Sequence, residues 1–519
     1  MGIAFDHAEK IVLTGSDLTI DLVHKVAYAK PGEIELSIAN DSSKKMNSSR
    51  QYILELLDKD EPIYGINTGF GALSSHQIAK EDLAQLQVNL IRSHCTGVGP
   101  NFSIPYTRAI MLLRANCLIS GFSGINPLIV DLLLKFINYD IVPLVPTKGS
   151  VGASGDLAPL SHIALALIGE GEVQFQGKTI GSSFAIDYIG HKPAVLGPKD
   201  GLALINGTAV MAALGALGCY EAKRIFKIAD ISSCLTLDGV RGTSKAYSPL
   251  ITKLKPHPGQ EDATYNLNLL LKGSQIKDSH DDCGKVQDPY SLRCVPQVHG
   301  ACRQTLRHAE EVVSIELNSV TDNPLIFVEE GKVISGGNFH GEALALVMDY
   351  LTMGLSEIAN ICERRIEKMM NPTFSDLPAF LIKDSGLNSG LMIAHVTAAA
   401  LVSENKIYCH PASVDSVPTS TDKEDHVSMG VTAGRKLMEV LENVKYVLSI
   451  ELLCNSQALE FQKPLKSSEA LNQVHTLIRK HVPIIEQDRV LSTDIKNIVK
   501  LINSNELVKA AEKHTGELK

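Results

Sequence analysis

The stretch TKGSVGASGDLAPLSH, residues 147–162, sets glycines at 149, 152 and 155 ahead of a helical pattern in which Leu160, Ile163 and Leu167 share one face. Each glycine costs conformational entropy on folding. Something local therefore needs a backbone almost free of side chains. One reading is a helix start, capped by Ser154 or Asp156 with Pro159 in the first turn. A second is an anion nest of bare amides, but the glycine spacing meets neither G-x-G-x-x-G nor G-x-x-x-x-G-K-S/T. A third rests on Ala153-Ser154-Gly155. In a turn forced tight, the Gly155 amide nitrogen attacks the Ala153 carbonyl carbon, and loss of water closes a five-membered ring. Loss of a second water, from Ser154, leaves an exocyclic methylidene, an electrophile that no ordinary side chain supplies. Alanine and glycine suit this chemistry because bulk would block the backbone approach.

Outward from this loop the chain reads as mainly α-helical. Apolar residues recur at helical spacing from Asp425 to Phe461, through Leu437, Val440, Leu441, Val444, Val447, Leu448 and Leu452. Further helices are predicted over 341–370, stopped by Asn371-Pro372, and over 299–319. Three long helices argue for a bundle. The segment GEVQFQGKTI (171–180) reads as a hairpin turning at Gln176 and Gly177, and NDSSKKMNSSR (40–50) as a loop or helix start. The expected organisation is an N-terminal region, 1–225, carrying the loop, and a central and C-terminal helical bundle, 226–519.

Of the 519 residues, 44% are hydrophobic and 21% charged, and the formal net charge is −9. That composition supports a packed core. Basic residues form no stripe, which argues against nucleic acid or an anionic membrane as partner and favours a small molecule. No basic segment followed by an apolar run opens the chain, and apolar runs such as AVMAALGALGCY are too short to span a bilayer. The ten cysteines are dispersed, with no C-x-x-C pair and no His/Cys cluster at zinc spacing, so neither disulfides nor a metal is expected. Reduced thiols fit a cytoplasmic setting.

GSVGASGDLAPLSH resembles the signature of the ammonia-lyases that carry a methylidene-imidazolone group. The blocks YGINTGFG (64–71), QVNLIRSHCTGVG (87–99), GLALINGT (201–208), VQDPYSLRC (286–294), SVTDNPLIF (319–327), SGGNFHGE (335–342) and TSTDKEDHVSMG (419–430) follow in that family's order. The resemblance runs from about residue 10 to about residue 500. It implies an ammonia-lyase/fumarase-like helical fold and a prosthetic group formed autocatalytically from Ala153-Ser154-Gly155, with no dissociable cofactor. It also implies a homotetramer whose active sites are shared between subunits. The implied reaction is elimination of ammonia, of the histidine type, giving urocanate. Tyrosine or phenylalanine elimination, or an aminomutase, is the alternative within the family. Outside it stands a helical assembly protein that has lost its chemistry.

The same resemblance assigns roles. Tyr64 stands where the family places the base for the β-hydrogen. Arg293 offers a planar fork for the α-carboxylate, and Tyr290 a hydroxyl for the substrate or the prosthetic ring. Asn206 supplies an amide, Gln287 and Asn323 have weaker cases, and Phe339 forms an aromatic wall. His94 and Glu424 carry the choice of substrate. A carboxylate accepts a hydrogen bond from an imidazole N–H, whereas beside a phenyl ring it is left unpaired. Being remote in sequence, Glu424 is expected to act independently of the ring-forming loop. His340 agrees with the histidine-type pattern, whereas His299 stands where an apolar residue is usual.

Overall fold

The computed structural model describes residues 5, 7–57, 65–69, 78–279 and 286–519, and these fold mainly as α-helices. Packing gathers them into two compact units. The first takes Met1–Tyr220, Ala309–Asp349 and Pro411–Arg435; the second takes Glu221–His308, Tyr350–His410 and Lys436–Lys519. Neither unit is continuous in sequence. A division near residue 225 follows the chain, whereas packing returns two later segments to the N-terminal one.

In the first unit the helix Ile104–Ile119 is buried at every position from Thr107 to Ile119. A helix enclosed on all sides must satisfy its polar groups internally. Arg114 does so through the Ala203 carbonyl, with Nε at 2.9 Å, and Arg108 through Asp140 and the Ala29 carbonyl. Three shorter helices, Leu83–His94, Leu157–Leu167 and Asp200–Ile205, pack against one another. Their ends carry His94, the glycine-rich loop and Asn206.

The hairpin forms as expected: Glu172–Phe175 pairs antiparallel with Lys178–Gly181, and Gln176 and Gly177 have φ of 49° and 75°. The polar run at 40–50 belongs to a helix, Asn40–Leu57, whose buried face is Ser42, Met46, Ser49, Ile53 and Leu57. Serines supply the small residues of that face, so its first two turns show no apolar period.

The second unit holds the greater part of several long helices. The sequence-predicted helix from Asp425 begins at Gly430 and runs to Glu460, burying Leu437, Val440, Leu441, Val444, Val447 and Leu448. Each fully buried leucine contributes about 1.5–3 kcal/mol. The helices at 341–370 and 299–319 are observed as Glu342–Met370 and Val295–Glu316. Glu342–Met370 is long and apolar enough to cross a membrane by composition alone, yet 72% of its most apolar stretch is buried in the fold. Among the helices of this unit lies a charged cluster: Arg365 with Glu451, and Asp230 with Arg303 and His299. His299, unexpected from sequence, meets Asp230 Oδ1 from Nδ1 at 2.8 Å, and burial holds its imidazole below the usual range. Such a network is costly to break and hardly replaceable piecemeal.

Candidate active site

The glycine-rich loop is fixed by the two segments that flank it. Gly155 forms an isolated parallel bridge with Gly207, and the Asp156 amide donates to the Gly207 carbonyl at 2.8 Å. At Gly155 φ is +73°, and a Cβ there would lie 2.2 Å from that carbonyl oxygen. Only glycine fits. On the other side the Met429 amide donates to the Val151 carbonyl at 2.8 Å, and the Ser428 hydroxyl to the Gly152 carbonyl at 3.0 Å.

Asp156 corrects the capping expectation. It is the N-cap residue of Leu157–Leu167 but makes no side-chain bond to that helix. Its Oδ2 instead accepts from the Val210 and Met211 amides, at 2.8 and 3.0 Å, at the start of the helix Ala209–Gly239. The loop is thereby tied to a second helix, whose positive end favours the carboxylate. Burial outweighs those donors and pushes the Asp156 carboxyl up to about 7.

Beside the loop opens a cavity of about 600 Å³, entirely within the first unit. His94, Ala153, Ser154, Asn206, Phe339 and Glu424, all singled out from sequence, line it, as does Asn323. Leu90, Leu202 and Ile205 give it an apolar wall. The Ser154 hydroxyl donates to Glu424 Oε1 at 2.8 Å, and Glu424 Oε2 accepts from the Thr419 hydroxyl at 2.7 Å. Glu424, expected from its distance in sequence to act independently of the loop, is joined to it by a hydrogen bond across 270 positions.

The polar groups of the cavity are already sorted into donors and acceptors. His94 Nδ1 lies 2.8 Å from the Leu90 carbonyl, an acceptor only, so Nδ1 carries the proton and Nε2 keeps its lone pair. Burial lowers the pKa of this imidazole, opposed by the Leu90 bond and by the charge of Glu424. Asn206 donates from Nδ2 to the Asn323 carbonyl at 3.1 Å, which leaves Oδ1 buried and without a hydrogen-bond partner. Behind it Lys199, fully buried, holds Asp322 at 2.9 Å and the Asn323 carbonyl at 3.3 Å. Lys199 lies outside every motif block, and Asp322, inside SVTDNPLIF, was given no role. An isolated lysine in PKD reads as surface, and only the fold brings it to Asp322.

The remaining sequence-predicted residues are placed elsewhere. Gln287, Tyr290 and Arg293 belong to the second unit and do not line the cavity; Tyr290 is 70% exposed, with the Arg293 guanidinium 4.4 Å from its ring centre. Tyr64 lies outside the described residues.

A mainly helical fold, a side-chain-poor loop clamped at both edges and a cavity with a carboxylate on the loop serine define an aromatic amino acid lyase. The chain belongs to that family: residues 18–480 match its description, Aromatic amino acid lyase. It is 45% identical over 506 residues to a histidine ammonia-lyase of Myxococcus xanthus, covering 98% of this chain and 99% of that one. Among solved structures it is similar to the histidine ammonia-lyase from Trypanosoma cruzi, with a TM-score of 0.91 and 41% identity over 98% of this chain and 96% of that one. It is also similar to the tyrosine aminomutase from Streptomyces globisporus, with a TM-score of 0.93 and 35% identity over 98% and 100%.

Proposed function

We propose that the protein eliminates ammonia from L-histidine to leave urocanate, using a methylidene-imidazolone that it forms from Ala153-Ser154-Gly155. The observation that carries this reading is the Glu424 carboxylate, set in the cavity and bonded to the loop serine. The tripeptide fits the group. Gly155 stands where no side chain is tolerated, Ala153 is small and 5% exposed, and Ser154 borders the cavity. Once formed, the group supplies an electrophile strong enough to make departure of a poor leaving group feasible.

The chain's own residues bind and orient. Glu424 accepts the substrate imidazole N–H, which disfavours a phenyl ring in the same place. The unspent Oδ1 of Asn206 accepts from the substrate ammonium, and the Lys199–Asp322 pair keeps that amide facing the cavity. Neutral His94 offers Nε2 to a further donor, while Phe339, Leu90 and Leu202 exclude water from the apolar side. Tyr64 is assigned the β-proton.

Arg293, Tyr290 and Gln287 are assigned to the cavity of another copy of the chain, within a homotetramer. Two features support this. Arg293 Nε is buried without a hydrogen-bond partner. Leu346, Tyr350 and Met353 stand exposed along one face of Glu342–Met370, an apolar stripe suited to a helix partner. The protein is assigned to the cytoplasm, without nucleic-acid or membrane partners; the nine cysteines among the described residues are all free thiols.

The near-equal likeness to a tyrosine aminomutase makes tyrosine the second substrate to try. Separate incubation with histidine, tyrosine and phenylalanine, following ammonia and the conjugated product, tests the assignment. Ammonia and urocanate from histidine, with little turnover of the other two, is the expected result. A β-amino acid from tyrosine would replace it with the aminomutase reading.

A further inference from the structure

The cavity wall carries a second constellation that the elimination chemistry does not use. His340, Glu342 and His426 place one ligand atom each within 4.8 Å of one another. His340 and Glu342 are two positions apart and His426 is remote in sequence, so the three form no zinc-spaced motif. They meet because the turn before the helix Glu342–Met370 lies against the segment that carries Glu424.

Two details set this cluster apart from an accidental grouping of polar side chains. The first is the tautomer of His340. Its Nε2 lies 3.2 Å from the His426 carbonyl, an acceptor only, so Nε2 carries the proton and Nδ1 keeps a free lone pair. An imidazole that ligates through one nitrogen while donating the other N–H to a backbone carbonyl is the usual arrangement at metal centres, since that bond fixes the ring and raises its basicity. The second is Glu342, whose Oε2 is buried and has no hydrogen-bond partner. An unpartnered carboxylate oxygen is costly unless a cation or donor meets it. The two imidazole rings are parallel within 3°, with centres 5.7 Å apart.

We infer that His340, Glu342 and His426 form a binding site for a divalent cation of borderline softness, of which Zn²⁺ is the representative. Two imidazoles and a carboxylate suit Zn²⁺, Co²⁺ or Ni²⁺, whereas Mg²⁺ and Ca²⁺ take oxygen ligands. Three protein ligands leave a coordination position open. Because His340 and His426 both line the cavity, an ion held there stands in its wall. The site does not depend on which amino acid is the substrate.

Titration of the intact protein with zinc chloride, followed calorimetrically, tests the inference, with Glu342→Gln and His426→Ala as variants. Glu342→Gln preserves shape, and its melting temperature checks that it folds. The parent is expected to bind one equivalent, and each variant to bind roughly a hundredfold more weakly. Cobalt(II) in place of zinc should give a difference spectrum without a thiolate charge-transfer band. No stoichiometric binding, equal affinity in the folded variants, or a thiolate band from one of the cysteines would each overturn the assignment.

Discussion

The loop 149–156 and the segment 286–294 are both assigned chemistry in the proposed reaction, and they are held in opposite ways. The loop has its backbone bonded from both sides, by Gly207 and by Met429, and its serine hydroxyl engaged by Glu424. In the segment 286–294 only the frame is anchored: Asp288 accepts from the Thr243 amide at 2.7 Å and the Leu292 carbonyl from the Tyr247 hydroxyl at 2.9 Å. The exposed Tyr290 ring stacks on the partly buried Arg293, and neither residue lines the cavity. A strained, reactive backbone needs support from its own chain before it can react. Side chains that only hold a substrate can be presented on an anchored frame and completed by a neighbour. The contrast fits a site whose reactive half is internal and whose carboxylate-binding half comes from another copy.

The largest effect is expected at the loop. Ser154→Ala should lower histidine turnover by a factor on the order of a thousand or more, about 4 kcal/mol of barrier. Steady-state kinetics measures it, and activity near the parent's would mean that the loop is only a helix start. Subunit mixing attacks the other side of the comparison. Ser154→Ala and Arg293→Ala chains, each inactive alone, should regain activity when unfolded and refolded together. Roughly a quarter of the sites are intact if two chains meet at each site at random. Mixtures as inactive as their components would return Arg293 to its own chain.

The bond between Glu424 and Ser154 lasts only until the serine hydroxyl leaves as water, so Glu424 has two roles to separate, one on the loop before that step and one on the substrate after it. Glu424→Gln keeps the shape and one acceptor but loses the charge, and should lower kcat/KM for histidine roughly a hundredfold, about 2.7 kcal/mol. Intact mass of the same variant separates two roles. If the two-water loss persists, the carboxylate acts on the substrate; if it disappears, the carboxylate acts first on the loop.

How far these features were legible depends on what kind of contact makes them. The long helices announced themselves because Leu437 through Leu448 repeat on one face. The helix Asn40–Leu57 did not, because Ser42 and Ser49 occupy its buried face and carry no hydrophobic signal. His94, Asn206, Phe339 and Glu424 were found through motif blocks, and the fold brings them to one cavity. The partnership of Asp156 with the helix at Ala209, and that of Lys199 with Asp322, were illegible. Each joins residues distant in sequence through one polar contact, and such a contact leaves no period or spacing behind. The same holds for Glu424 and Ser154, which sequence distance alone had separated.

The smallest effect expected is on stability, and it concerns Asp156. Its carboxyl is pushed up to about 7 in the folded protein, above the ordinary 3.8. Between those values the folded state binds the extra proton, so this group's stabilising contribution is full below 3.8 and is lost as pH rises through about 7. Asp156→Asn cannot titrate there. The melting temperature of the parent should therefore fall relative to that of the Asn variant as pH is raised from 5 to 8. A parent whose melting temperature keeps a constant offset from the variant's over that range would show that the Val210 and Met211 amides hold the carboxylate ionised.

Everything proposed about the reaction depends on Ala153-Ser154-Gly155 making its own electrophile, and the intact mass of the purified, active protein addresses that directly. Formation of the ring and of the methylidene each releases one water. The mass should be lower than that of the unmodified sequence by two waters, with the deficit confined to the peptide that contains residues 153–155. Full histidine turnover by a protein of unmodified mass would contradict the account.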